Sequence, residues 1–291
     1  MAGPVTSAWS EEAVTFFCAG DRLLGILTRP RAKAELGLVI LPGGLQTRVG
    51  AHRQNVLLAR ALAEQGVATL RFDGRGMGDS EGAHPGFTAL GPDIAAAVAA
   101  LRATVPEVGP VVLYGLCDAA TAIATGLPRV TADGAILVNP WIRSAETLAA
   151  AHIRSHYPRQ VLSPSFWKKL MTGQINPWTK AREFLATLAT SRQPSGDNSL
   201  ADRLLAALSR TDCPMLLLLS DRDMTAAEFE GAVVARLPSP PPPHLTIARV
   251  EGADHTFSQA IWWQSALDHV RQWLARQPRD RAEPWHSRVR R

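Results

Sequence analysis

Cysteine is scarce in this chain: 291 residues contain three, Cys18, Cys117 and Cys213, far apart and without a C-x-x-C pair. An odd, scattered set excludes a disulfide framework and a thiolate zinc site, and it fits a reducing compartment. Long apolar runs are missing too. No stretch of about 18 uninterrupted apolar residues occurs, and Met1 to Glu12 lacks a basic flank followed by an apolar core. A soluble, cytoplasmic protein without stable membrane insertion is the expectation. Neither G-x-x-x-x-G-K nor a helix-opening G-x-G-x-x-G is present, so the phosphate-binding loops of nucleotide enzymes are excluded. Excess charge is also lacking over most of the chain. The formal net charge is +5, but residues 276 to 291 hold six arginines against Asp280 and Glu283. A basic end without interleaved aromatics reads as a frayed tail, and no nucleic-acid partner is expected.

What is present is an ordinary globular balance, 46% hydrophobic and 20% charged, which fits one large domain. Apolar, β-rich runs lie at Val14 to Cys18, Leu23 to Leu27, Gly37 to Leu41, Val67 to Phe72, Val111 to Tyr114, Ala135 to Val138, Met215 to Leu219 and Leu245 to Val250. From the third onward most precede a helical pattern: Val56 to Glu64, Asp93 to Arg102, the small residues after Cys117, Ala226 to Arg236, and the stripe Trp263, Leu267, Val270, Leu274. Buried strands alternating with helices predict a mostly parallel sheet of eight strands covered on both faces. Only the four residues Ala19, Gly20, Asp21 and Arg22 separate the first two runs, so the sheet is expected to begin with an antiparallel hairpin.

Residues 13 to 140 and 211 to 276 then form two parts of one core, with a flexible N-terminus over 1 to 12 and a basic disordered tail over 277 to 291. Residues 141 to 210 interrupt the alternation. They mix Trp141, Tyr157, Phe166, Trp167, Leu170, Trp178 and Phe184 with basic residues, and about 70 residues is too long for a bare loop. A helical lid inserted over one end of the sheet is expected, with a small second domain as the alternative. Pro238 to Pro243 reads as a stiff surface spacer.

The strongest chemical signal is Val111-Val112-Leu113-Tyr114-Gly115-Leu116-Cys117-Asp118-Ala119-Ala120: a strand, a glycine, a nucleophile, then small residues opening a helix. A nucleophile at such a turn is strained, and the positions two before and two after it must be small for strand and helix to approach. Gly115 and Ala119 meet that need. The helix dipole favours a thiolate at Cys117, which the neighbouring Asp118 carboxylate opposes. Alternatively, Cys117 is only a small buried hydrophobe. A base must follow late in the chain, and His255, between the last strand and last helix, can accept and return the thiol proton. The orienting carboxylate belongs after the seventh strand, where Asp223 is preferred over Asp221. Two backbone N–H groups must stabilise the tetrahedral oxyanion: one is that of Asp118, the other that of Gly44 or Leu45, after the third strand. Arg48, His52 and Arg53 are possible binders of an anionic substrate portion, or solvated helix-start charges. Asp73-Gly74-Arg75-Gly76-Met77-Gly78-Asp79-Ser80 reads as a structural turn.

The D-x-R-G-x-G-x-S turn, the elbow and the late D-H pair resemble the α/β-hydrolase superfamily. More closely, Arg48-Val49-Gly50-Ala51-His52-Arg53, Arg71-Phe72-Asp73, Gly115-Leu116-Cys117-Asp118-Ala119-Ala120, Asn139-Pro140-Trp141 and Gly252-Ala253-Asp254-His255-Thr256-Phe257-Ser258 resemble the exosortase A system-associated hydrolases. These are bacterial proteins encoded with exopolysaccharide and protein-sorting genes. The resemblance spans residues 14 to 276 and implies an α/β-hydrolase fold with a Cys117–His255–Asp223 site. One departure is Asp221, where glycine is expected. The expected function is hydrolysis of an ester or thioester, a small-molecule acyl substrate, through a covalent acyl-cysteine, with no cofactor and no metal. An acyltransferase using the same intermediate, and a non-catalytic binding protein that keeps the fold, are the alternatives. Oligomeric state has no sequence signal.

Overall fold

The computed structural model describes residues 7–127, 130–142 and 199–279. Eight strands form one sheet in the order β1-β2-β4-β3-β5-β6-β7-β8: β1 (Trp9–Cys18), β2 (Asp21–Pro30), β3 (Leu36–Leu41), β4 (Val67–Phe72), β5 (Val111–Leu116), β6 (Gly134–Val138), β7 (Met215–Ser220) and β8 (Leu245–Val250). The β1–β2 and β2–β4 pairs are antiparallel, and every pair from β4–β3 to β7–β8 is parallel. The described helices are α1 (Gln54–Ala63), α2 (Gly91–Thr104), α3 (Asp118–Gly126), α4 (Leu200–Arg210), α5 (Met224–Ala232) and α6 (Ala260–Ala275).

Two-residue alternation along each strand feeds two cores. On β3, Val39 and Leu41 face one core while Leu36, Leu38 and Ile40 face the other; on β7, Met215, Leu217 and Leu219 oppose Leu216 and Leu218. Residues of α2, α3, α4 and α5 complete the first core, and those of α1 and α6 the second. Because both faces are covered, β3, β4, β5, β6 and β7 are buried along their whole length, which is why they read as mostly apolar runs, with Thr69 and Arg71 of β4 the buried polar exceptions among their central residues. In the α6 stripe, Leu267, Val270 and Leu274 are buried and Trp263 packs against them.

The first strand corrects the sequence reading. It begins at Trp9, inside the segment expected to be flexible, and pairs residue for residue with β2 as far as Pro30. Its anchor is polar: Glu11 accepts hydrogen bonds from Arg60, Arg71 and Thr28, and the Arg60 guanidinium lies 4.9 Å from the Trp9 ring centre. Most of the expected lid, residues 143–198, lies outside the described residues, as do 1–6 and 280–291 of the expected termini. Leu200–Arg210, at the end of the lid interval, is a helix whose Leu204 and Leu208 enter the first core. Its start is set by Ser199, whose hydroxyl accepts from the Asp202 N–H.

Candidate active site

The loops after β3, β5, β7 and β8 converge at the carboxyl ends of the parallel strands, where open α/β sheets bind ligands. At the end of β5 the chain reverses through Cys117, with φ 63° and ψ −125°, a conformation outside the regions open to ordinary side chains. Neighbouring backbone holds it there. The Cys117 N–H donates to the Val138 carbonyl at 2.9 Å, and the Cys117 carbonyl accepts from Thr121 and Trp141 N–H groups at 3.2 Å. Glycine at 115 is a packing requirement: a Cβ there would meet the Ala119 and Ala120 backbone and Ile123 Cδ1, all at 2.8 Å. Cys117 is half-buried at the mouth of α3.

His255 reaches the same point from the loop after β8. Its Nδ1 lies 2.7 Å from Asp223 Oδ2, and Cys117 is near enough to act on its proton affinity. Burial alone would lower the imidazole pKa, but the hydrogen bonds to Asp223 and Cys117 and their negative charges outweigh it, raising the value to about 10. The imidazolium is therefore the favoured form at neutral pH. Asp223 is itself fixed as the N-cap of α5, accepting from the Thr225 and Ala226 N–H groups at 3.1 Å. Asp221 is exposed and its carboxylate faces the Gly252 N–H at 3.4 Å. Of the two carboxylates weighed in the sequence, the structure brings Asp223 to the histidine.

The sequence reading quoted Asn139 within a resembling segment but gave it no role. This fully buried amide, in a left-handed turn with φ 43°, donates to Ser220 Oγ at 2.8 Å and to the His255 carbonyl at 3.0 Å, and accepts from the Ser220 N–H at 2.8 Å. It ties the ends of β6 and β7 to the histidine loop. A polar residue directly after the apolar run ending at Val138 was the available signal. Asp254 shapes the same loop by accepting from the Thr256 and Ser258 N–H groups and the Ser258 hydroxyl. Burial would raise its pKa, but these bonds and the nearby His52 hold it below the usual range.

The loop after β3 departs from the expectation in two ways. Arg48, expected to be available to substrate, is committed inside the protein: its guanidinium pairs with Asp73 and, at 2.6 Å, with Asp79, and its N–H donates to Asp73. Its role is to clamp this loop to the Asp73–Ser80 turn. His52 and Arg53 are exposed and adopt consecutive left-handed conformations, φ 53° and 61°. Gly44 is the other departure, since its N–H donates to Asp118 Oδ1 at 2.5 Å. The N–H of Asp118, in the first turn of α3, belongs to the set a helix leaves without an intrahelical acceptor. Leu45 is exposed, and its N–H has no partner among the described residues.

Strand order, the strained turn after β5 and the loops that converge on it define the α/β-hydrolase fold. Residues 38–277 match the model of the alpha/beta hydrolase family, and the chain belongs to that family. Among curated proteins none matches it in sequence. Solved structures match it in fold. The esterase Pf2001 of Pyrococcus furiosus aligns at 16% identity over 95% of this chain and 97% of its own, with a TM-score of 0.62. A dienelactone hydrolase of Anabaena variabilis aligns at 14% identity over 92% and 98%, with a TM-score of 0.60. A serine hydrolase described as lacking a lid, from Xanthomonas campestris, aligns at 18% over 92% and 97%, with a TM-score of 0.56. No helix among the described residues is long and apolar enough to cross a membrane.

Proposed function

We propose that the protein hydrolyses a small-molecule ester or thioester through an acyl-cysteine on Cys117, with His255 as acid and base and Asp223 as its orienting carboxylate. The observation that carries this reading is the 2.7 Å hydrogen bond between His255 Nδ1 and Asp223, with Cys117 beside that imidazole at the one residue of the elbow held at a positive φ. With Nδ1 held by Asp223, the other imidazole nitrogen is left to exchange a proton with the thiol, as a proton shuttle needs.

In the forward reaction the Cys117 sulfur attacks the carbonyl carbon and the π electrons move to oxygen, where the Asp118 N–H and the Gly44 or Leu45 N–H stabilise the charge. Collapse breaks the bond to the leaving group, which takes the proton of the His255 imidazolium. Neutral His255 then removes a proton from water, hydroxide attacks the thioester, and a second collapse releases the carboxylic acid and returns the thiolate beside the imidazolium. Activated esters and thioesters suit a thiolate better than amides, whose leaving group demands stronger protonation. A role in bacterial exopolysaccharide and exosortase systems, in the cytoplasm, is part of the proposal; its support is the resemblance of the G-L-C-D-A-A elbow and the G-A-D-H-T-F-S loop.

The test uses Cys117→Ala and Cys117→Ser against a panel of p-nitrophenyl and CoA acyl esters. Alanine removes the acyl acceptor and should abolish turnover, on the order of 10³-fold or more, while serine keeps weak residual activity with the fold intact. Wild-type turnover by the alanine variant would defeat the mechanism.

A further inference from the structure

The Gly44 N–H, one of the two candidates for the second oxyanion donor, meets the side chain of Asp118. The Gly43 position packs so closely on the elbow that a Cβ there would overlap the Leu116 carbonyl and stand 3.1 Å from Asp118 Oδ1. Gly44 follows at φ 61°, a conformation that glycine adopts without strain, and its N–H points at Asp118 Oδ1, 2.5 Å away. A donor set for an oxyanion must reach a negatively charged oxygen at about 2.7 to 3.1 Å. Here the partner of that N–H is already a negatively charged oxygen, and it belongs to the residue immediately after the nucleophile.

We infer that the Asp118 carboxylate is a built-in occupant of the oxyanion site, which a substrate carbonyl must displace before Cys117 can attack. The inference rests on the proposed acyl-cysteine reaction. Asp118 thereby selects substrates. Those whose remaining parts bind well enough to drive the exchange are acylated, and small esters that offer little besides a carbonyl are disfavoured, because binding energy from remote groups is what drives such a rearrangement. The Gly44–Asp118 bond is exposed, so the carboxylate can leave into water without desolvation. In kinetic form this is a pre-equilibrium: the apparent substrate affinity falls by the fraction of molecules in which the site is open, while the chemical step after seating is unchanged.

The ordinary alternative is a tie. In that reading the carboxylate at the first turn of α3 favours the helix dipole and pins the loop after β3 in a productive position. The two readings differ in sign. With a small neutral p-nitrophenyl ester, Asp118→Ala, which keeps the backbone N–H at this position, should raise kcat/KM by about tenfold through a lower KM, the scale of a charge-assisted hydrogen bond. Asp118→Asn, which still offers a neutral acceptor, should fall between alanine and wild type. A fall in kcat in both variants, or an unchanged KM, overturns the inference and leaves Asp118 as a tie. Acyl-adduct formation is followed by intact mass in parallel, with Cys117→Ala as control. Loss of the adduct in that control together with a fall in kcat in the Asp118 variants defeats this inference alone; an adduct that survives Cys117→Ala, or no adduct from any ester in any variant, defeats the acyl-cysteine reading and this inference with it.

Discussion

Two thiols of the same chain sit in opposite surroundings. Cys213 is fully buried just before β7, and burial, then the negative charge of Asp133, pushes its pKa up to about 12; its Sγ faces the Pro214 carbonyl, at 3.8 Å. Cys117 is half-buried beyond the end of β5, in a strained turn, with an imidazole as its partner. Cys18 resembles Cys213: it is buried in β1, and burial followed by the Asp93 charge raises its pKa. A thiol folded into a core has its neutral form favoured and stays inert; Cys117 stands half-buried at a strand end, within reach of substrate and beside an imidazole. Backbone position, not residue type, makes the difference.

That contrast is sharpened most by removing the carboxylate on each side. Asp223→Asn leaves His255 without its anionic partner and should lower turnover by about 10²- to 10⁴-fold, while asparagine still caps α5. Asp221→Asn should leave turnover within about threefold, as surface changes away from the site do. On the Cys213 side, Asp133 bonds Arg102 and the Val111 N–H, so Asp133→Asn should change thermal stability and not the rate. Steady-state kinetics with a parallel melting curve separate these outcomes. Equal losses of turnover from Asp223→Asn and Asp133→Asn would erase the contrast.

A smaller effect lies in the pH dependence of stability. The His255 pKa is raised in the folded protein, from 6.5 to about 10. A raised basic group stabilises the fold most below its unfolded pKa, and that contribution is lost as pH rises through the folded value. The stability difference between wild type and His255→Gln should therefore be largest near pH 6 and shrink steadily toward pH 10. Denaturant titrations at a series of pH values check this. A difference that grows with pH would reverse the sign and contradict the imidazolium assignment.

Much of this was legible in sequence because the physics is local. Strands buried on both faces are mostly apolar, so Met215 to Leu219 could be read to within one residue of β7, and the elbow's need for small residues marked Gly115 and Ala119 around Cys117. What escaped depends on partners distant in the chain. The first half of β1 looked like a polar tail because Glu11 is held by Arg60 and Arg71, about fifty and sixty residues away. Arg48 looked available because its carboxylates come from the Asp73–Ser80 turn. Asn139 carried no motif that named His255 as its partner. The Gly44–Asp118 bond joins two residues already singled out for the oxyanion site, yet only their geometry shows that one occupies the other's donor.

The most direct test of the contrast between the thiols is to locate the acyl group. The protein is incubated with a p-nitrophenyl ester, quenched in acid, and analysed by intact mass and peptide mapping. One acyl group per chain, on the peptide containing Cys117, with Cys18 and Cys213 unmodified, is the expected result. An adduct on Cys18 or Cys213, or turnover with the stable acyl group on another residue, would contradict it.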